Sequence, residues 1–215
     1  MKIGVFDSGI GGLSIVNAII AGIPDIEVDF KNDAENLPYG TKTPDELFAL
    51  IKPIFQEFID DGCRVIVIAC NTVSTTLIER LRKTFTIPMV GLEPMVKPAA
   101  DVTKSRVITV CATPTTLESE RYKYLKDRYA NDIEVIEPDC SEWAALIENN
   151  QMNNQKIIDA IEPSLKKGSD VIVLGCTHYH WIEDSIRAIV GDRAAVIQPE
   201  TAVVRQLNRV IERLG

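Results

Sequence analysis

Two cysteines hold the positions in this chain from which acid–base chemistry is easiest to imagine. They close near-repeats of each other: Val65-Ile66-Val67-Ile68-Ala69-Cys70-Asn71-Thr72 and Val171-Ile172-Val173-Leu174-Gly175-Cys176-Thr177-His178. A thiolate is a competent base, and a position before a helix N-terminus or beside a charged partner favours it. Two such bases on opposite sides of one carbon suit stereochemical inversion: one removes a proton, and the conjugate acid of the other returns one to the opposite face. Each thiol needs a polar neighbour. Asp7 fits Cys70, while His178 or a carboxylate fits Cys176. Ser8, Asn71, Thr72 and Thr177 add neutral donors suited to a substrate carboxylate. A lone strand-end cysteine is more often a small buried hydrophobe, and Cys63, Cys111 and Cys140 are read that way. His180, beside Trp181, reads as structural or solvent-facing.

The elements that must position these groups follow from periodicity. Each cysteine ends a short β-branched run, the pattern of a strand buried on both faces of a parallel sheet. The carboxyl ends of such strands are where open α/β sheets bind ligands. A first strand, Lys2 to Phe6, runs into Asp7-Ser8-Gly9-Ile10-Gly11-Gly12, a tight turn before a helix whose glycines lack the dinucleotide-binding spacing. Thr43-Pro44-Asp45-Glu46 predicts a capped helix start, with Pro53 expected to kink or divide that helix. Thr72 is expected to cap the helix after Cys70, and Lys97 to Ser105 to cross between halves.

The second half retraces the first. Val5 and Val110, Ile26 and Ile133, Cys70 and Cys176, and Glu93 and Gln198 all recur at about 105 to 107 residues. Four strands in order at one offset indicate an internally duplicated α/β protein. The fold expected is two similar lobes, each a parallel sheet flanked by helices, related by a pseudo-twofold axis with the active site in the cleft between them. The expected units are residues 1–97, residues 98–205, and a C-terminal helix, 206–215, packing back on the first lobe. Corresponding strand ends then face one cleft.

Composition narrows the functional classes. The 215 residues are 46% hydrophobic and 25% charged, enough for a substantial core. A net charge of −8 argues against nucleic acid and anionic membrane surfaces as partners. No apolar run is long enough to span a bilayer, and the start enters a strand directly rather than a signal-peptide core. Five cysteines without metal-ligand spacing predict reduced thiols, no metal and a cytoplasmic setting.

Several motifs resemble those of glutamate racemases, in the cofactor-independent aspartate/glutamate racemase superfamily. They are Val5 to Ser14, Asp33 with Pro38-Tyr39-Gly40, Ala69-Cys70-Asn71-Thr72, and Leu174-Gly175-Cys176-Thr177-His178. The resemblance implies two-thiol racemisation of glutamate without a cofactor, supplying D-glutamate for peptidoglycan, and a homodimer. It implies that Cys70 is the base for the D-enantiomer, assisted by Asp7, and Cys176 for the L-enantiomer, assisted by His178 and Glu148. Cys140 to Glu148 keeps the family's Cys-to-Glu spacing. By the same resemblance Ser8, Pro38, Tyr39, Gly40, Asn71, Thr72, Thr113, Thr116 and Thr177 surround the substrate, with backbone rather than ring contact expected at Tyr39. Rival activities are an aspartate racemase, a hydantoin racemase and a decarboxylase, which would need one thiol. The rival of a different class is a non-catalytic two-lobed small-molecule binding protein.

Overall fold

A computed structural model describes residues 1–215. The chain forms two four-stranded parallel sheets. The first has the order β2-β1-β3-β4, with β1 Lys2–Asp7, β2 Glu27–Asn32, β3 Val65–Ile68 and β4 Met89–Gly91. The second has the order β6-β5-β7-β8, with β5 Val107–Cys111, β6 Glu134–Ile136, β7 Val171–Leu174 and β8 Ala195–Ile197. Identical strand order in both halves is the duplication expected from the repeat. In each sheet the chain reverses direction of winding between its first and third strands, and the crevice at their carboxyl ends is the natural ligand position.

Every residue of β3 and of β7 is buried. Their side chains alternate between two cores, as the pleat requires. Ile66 and Ile68 join the core under α2 (Pro44–Asp60) and α3 (Asn71–Thr84), and Cys70 continues that alternation. Val65, Val67 and Ala69 take the other face, against α1 (Leu13–Gly22). The second lobe repeats the arrangement. Ile172, Leu174 and Cys176 share a core with α7 (Trp143–Glu148) and α8 (Asn154–Lys166). Val171 and Val173 face the opposite core with Tyr122 and Leu125 of α6 (Glu120–Tyr129), which follows the short α5 (Pro114–Glu118). The cysteines thus emerge on equivalent faces of equivalent strands.

The lobes exchange their closing helices. The stretch expected as a crossing is largely helical: α4, Val96–Val102, follows β4 but buries Val96 and Ala99 with Ile108, Val110 and Val173 of the second lobe. The last helix, α10 Glu200–Leu214, follows β8 (after α9, Glu183–Val190) and buries Val203 and Leu207 with Ile3, Val5 and Val67 of the first. The chain therefore re-enters the first lobe at Glu200 rather than at residue 206, because Val203 and Leu207, four apart, form one apolar stripe. Leu207 is fully buried there. Truncation to alanine should cost about 2–5 kcal/mol, measured as a lowered urea midpoint, and an unchanged midpoint would show that the helix adds nothing to that core.

Two helix starts differ in an instructive way. Thr43 accepts from the Glu46 amide while Glu46 accepts from the Thr43 amide, the expected capping box. Pro53 sits inside α2 without interrupting it, because it and Ala49, whose carbonyl loses a partner, are both exposed. For α3 the N-cap is Cys70 itself, not Thr72. Thr72 lies in the first turn, its hydroxyl free for another role.

Candidate active site

The two strand-end cysteines lie in a seam where the lobes touch, and both are buried. Cys70 Sγ is 3.5 Å from Ser8 Oγ, to which it donates. Burial pushes its thiol up to about 12, the nearby Asp7 charge adds to the effect, and the Val73 and Thr72 amides oppose it. Burial likewise holds the Cys176 thiol well above its ordinary range, with Cys70 the next cause, and the amides of His178 and Tyr179 in opposition. The expectation that a helix N-terminus would favour each thiolate is therefore corrected: desolvation outweighs the opposing amides. Cys176 moreover precedes a six-residue 3-10 turn, Thr177–Ile182, rather than an α-helix. In the closed protein both thiols are held as S–H.

Cys176 has the more elaborate partner. Its sulfur is 3.8 Å from His178 Nδ1, and His178 Nε2 is 2.6 Å from Glu148 Oε1. The same carboxylate oxygen accepts the Ile10 amide at 3.0 Å, so Glu148, from the second lobe, is pinned by the glycine loop of the first. With the thiol on one ring nitrogen and a carboxylate on the other, the imidazole can take the Cys176 proton and be stabilised as a cation. Asp7 is fully buried; its carboxylate accepts from the Gly12 amide at 2.7 Å and from Thr177 Oγ1 at 3.2 Å. Burial raises its pKa, against the His178 charge and the loop amides. Asp7 makes no hydrogen bond to Cys70: Ser8 occupies that place, and Asp7 reaches the thiol through its field.

The loop Gly9-Ile10-Gly11-Gly12 must be small because of what it touches. A Cβ on Gly9 would collide with Glu148 and His178, and one on Gly11 would lie 2.6 Å from the Thr177 carbonyl carbon and the His178 amide nitrogen. These glycines serve close approach between lobes, not a phosphate.

A second seam is made of hydroxyls. Thr72 Oγ1 is 3.0 Å from Thr113 Oγ1 across the lobes and 3.4 Å from Thr116 Oγ1, and Thr113 and Thr116 are themselves 2.9 Å apart. Asn71 is buried with neither amide atom of its side chain partnered. A buried amide and a cluster of neutral hydroxyls can offer dipoles to carboxylate oxygens.

The sequence pattern of the family described as Asp/Glu/hydantoin racemase matches residues 19–207.

The chain belongs to the Asp/Glu/hydantoin racemase family.

Among relatives in that family, a glutamate racemase from Herpetosiphon aurantiacus is 38% identical over 97% of this chain and 84% of its own. One from Ralstonia pickettii is 36% identical over 99% of this chain and 77% of its own. Among solved structures, Escherichia coli glutamate racemase, in complex with L-glutamate and the activator UDP-MurNAc-Ala, superposes with a TM-score of 0.91. It is 28% identical, with 98% of this chain and 82% of that one covered. An aspartate racemase from Picrophilus torridus, 19% identical with a TM-score of 0.63 and with 97% and 93% of the two chains covered, shares the racemase fold.

The remaining residues expected at the racemase site divide. Ser8, Asn71, Thr72, Thr113, Thr116 and Thr177 are buried along the two seams. Pro38 is exposed. The Tyr39 ring is buried against Phe6, centroids 6.4 Å apart, and its hydroxyl donates to Asp33 at 2.5 Å, so the side chain is core. Burial and then Asp33 raise its pKa far above the ordinary phenol. From this segment it is the Gly40 carbonyl that meets the other lobe, accepting from Thr115 Oγ1. Thr115 and Ile10, the latter through its amide, were not legible as site residues, since only the docking of the lobes brings them in. His180, expected as structural or solvent-facing, has a side chain only 2% exposed.

Proposed function

We propose that this chain interconverts L- and D-glutamate by two successive proton transfers at Cα, one thiol working on each face. The observation that carries this reading is the placement of Cys70 and Cys176 on equivalent faces of duplicated strands, in one buried seam. A single-base enzyme or a passive binding protein has no use for that pairing. The high identity to relatives named glutamate racemase over nearly the whole chain supports glutamate as the substrate.

The lobes part to admit the substrate, and its carboxylates take over the hydroxyls of Thr72, Thr113 and Thr116 and the unpartnered amide of Asn71. For L-glutamate, His178 accepts the Cys176 proton while Glu148 stabilises the imidazolium, and the resulting thiolate removes the Cα proton. The Cα–H bond breaks and an S–H bond forms. Cys70, held as S–H by burial and the Asp7 field, delivers its proton to the opposite face. In the reverse direction Cys70 is the base. Excluding water strengthens both steps, because charge developing on the substrate is met by fixed dipoles. The product is D-glutamate for peptidoglycan, made in the cytoplasm by an isomerase that works as a homodimer and without a cofactor.

In heavy water, each glutamate enantiomer supplied alone should yield the other carrying deuterium at Cα, followed by chiral separation and mass spectrometry. Aspartate should react far more slowly. Absence of exchange with both glutamate enantiomers would discard the racemase reading for this chain.

A further inference from the structure

His180 lies two residues beyond His178 on the same 3-10 turn, but its ring points into the protein. Its Nδ1 is 2.8 Å from Ser14 Oγ at the start of α1 and 3.4 Å from Glu200 Oε1 at the start of α10. Its Nε2 is buried with no partner. Ser14 Oγ in turn donates to the Gly11 carbonyl at 3.2 Å. One imidazole nitrogen thus joins the catalytic turn of the second lobe, the glycine loop of the first through Ser14, and the exchanged helix α10.

The hydrogen-bond inventory selects the tautomer. A proton on Nε2, in the neutral ring or the cation, would be a buried N–H without an acceptor, which native structures rarely tolerate. With the proton on Nδ1, that N–H donates to Ser14 Oγ with the Glu200 carboxylate as a second acceptor. Ser14 keeps its own proton for Gly11, and only a lone pair goes unpaired.

We propose that His180, through Nδ1–H, is a positioning residue that fixes the Cys176–His178 turn against the glycine loop. The inference rests on the two-thiol reading. Gly11 already packs against the Thr177–His178 peptide closely enough to exclude a methyl group. The Ser14–His180 bond holds the same loop to the same turn two residues further on. Released from it, the turn can pivot about that contact. The 3.8 Å approach of His178 Nδ1 to Cys176 Sγ is then lost.

The test is a series at His180. The asparagine variant, H180N, keeps a neutral N–H donor near the Nδ1 position and should retain most of the turnover. H180Q moves the amide out toward Nε2, where nothing accepts it, and H180F has no donor. Both should lose up to about 100-fold in kcat with KM little changed, as expected for misplacement of a reacting group. In both, D-glutamate in heavy water should still exchange its Cα proton through Cys70 while inversion falls. Ser14→Ala, which leaves the histidine in place, should reproduce the loss if His180→Phe does not fold. Equal losses in H180N, H180Q and H180F, tracking their melting temperatures, would overturn the proposal in favour of space-filling, as would full turnover in all three. Full inversion by Cys176→Ser would instead remove the two-thiol reading itself, a result read independently of the His180 series.

Discussion

Serine in place of either Cys70 or Cys176 should reduce racemisation by about 100- to 10,000-fold, the range a positioned acid–base group contributes. The hydroxyl is nearly isosteric with the thiol but far less acidic. Burial, which already holds the Cys70 thiol up to about 12, would push a hydroxyl out of any usable range. The two variants should differ in one respect. Cys70→Ser leaves the Cys176–His178–Glu148 line intact, so it should still exchange the Cα proton of L-glutamate with heavy water while failing to invert it. Cys176→Ser should show the opposite preference, retaining exchange with the D-enantiomer. Both variants should keep the wild-type unfolding midpoint within experimental error, since serine fits the space and Ser8 remains able to bond it at position 70. Wild-type turnover in either one would end the two-base mechanism. Equal loss of exchange with both enantiomers in one variant would show that the thiols do not divide the faces between them.

The second large effect is expected at a residue that carries no titratable group itself. Gly11→Ala places a methyl carbon 2.6 Å from the Thr177 carbonyl carbon and the His178 amide nitrogen, and 2.8 Å from Thr177 Oγ1. Two of the three atoms are backbone, so the clash is not relieved by a rotamer change, and the lobes must separate there. Thr177 would leave Asp7, and His178 would shift relative to Cys176. A displacement approaching 1 Å at a reacting group costs about 100-fold in rate. The stability cost of such overpacking is about 1–3 kcal/mol, which a domain of ordinary stability survives. A folded protein with a large loss of kcat is therefore expected, measured by turnover alongside urea unfolding. Near-normal turnover would show that the glycine loop and the catalytic turn are not rigidly coupled.

These two expectations come from different levels of the molecule. The cysteines could be chosen from the chain alone because a strand has a period of two. Once Val65 to Ile68 and Val171 to Leu174 are recognised as buried strands at one repeat offset, Cys70 and Cys176 must project equivalently from their carboxyl ends. The capping box at Thr43 was legible for a similar reason, since its bonds span three residues. Glu148 was legible by motif resemblance, whereas its bond to the Ile10 amide joins residues 138 apart and has no local signature.

What the residues could not reveal was anything decided by which surfaces meet. Backbone rather than ring contact was expected at Tyr39, whose ring fills the core beside Phe6, but it is the Gly40 carbonyl that docking brings to Thr115 of the other lobe. Asp7 sits at a strand end beside Ser8, and the approach of the other lobe makes Thr177 its partner while Ser8 receives Cys70. His180 reads as structural or solvent-facing beside Trp181, and only α1 and α10 decide that it is buried and which groups it meets. Even the acidity of the thiols is reversed, because a helix dipole is a local property and desolvation is not. The sequence by itself determined the two-lobed duplicated scaffold and the two thiols at its equivalent strand ends, since periodicity and repeat are written along the chain. The tertiary structure alone decided that Ser8 rather than Asp7 bonds the Cys70 thiol, how strongly each thiol holds its proton, and that the helix after β4 is buried in the second lobe. All three depend on contacts between residues distant in sequence.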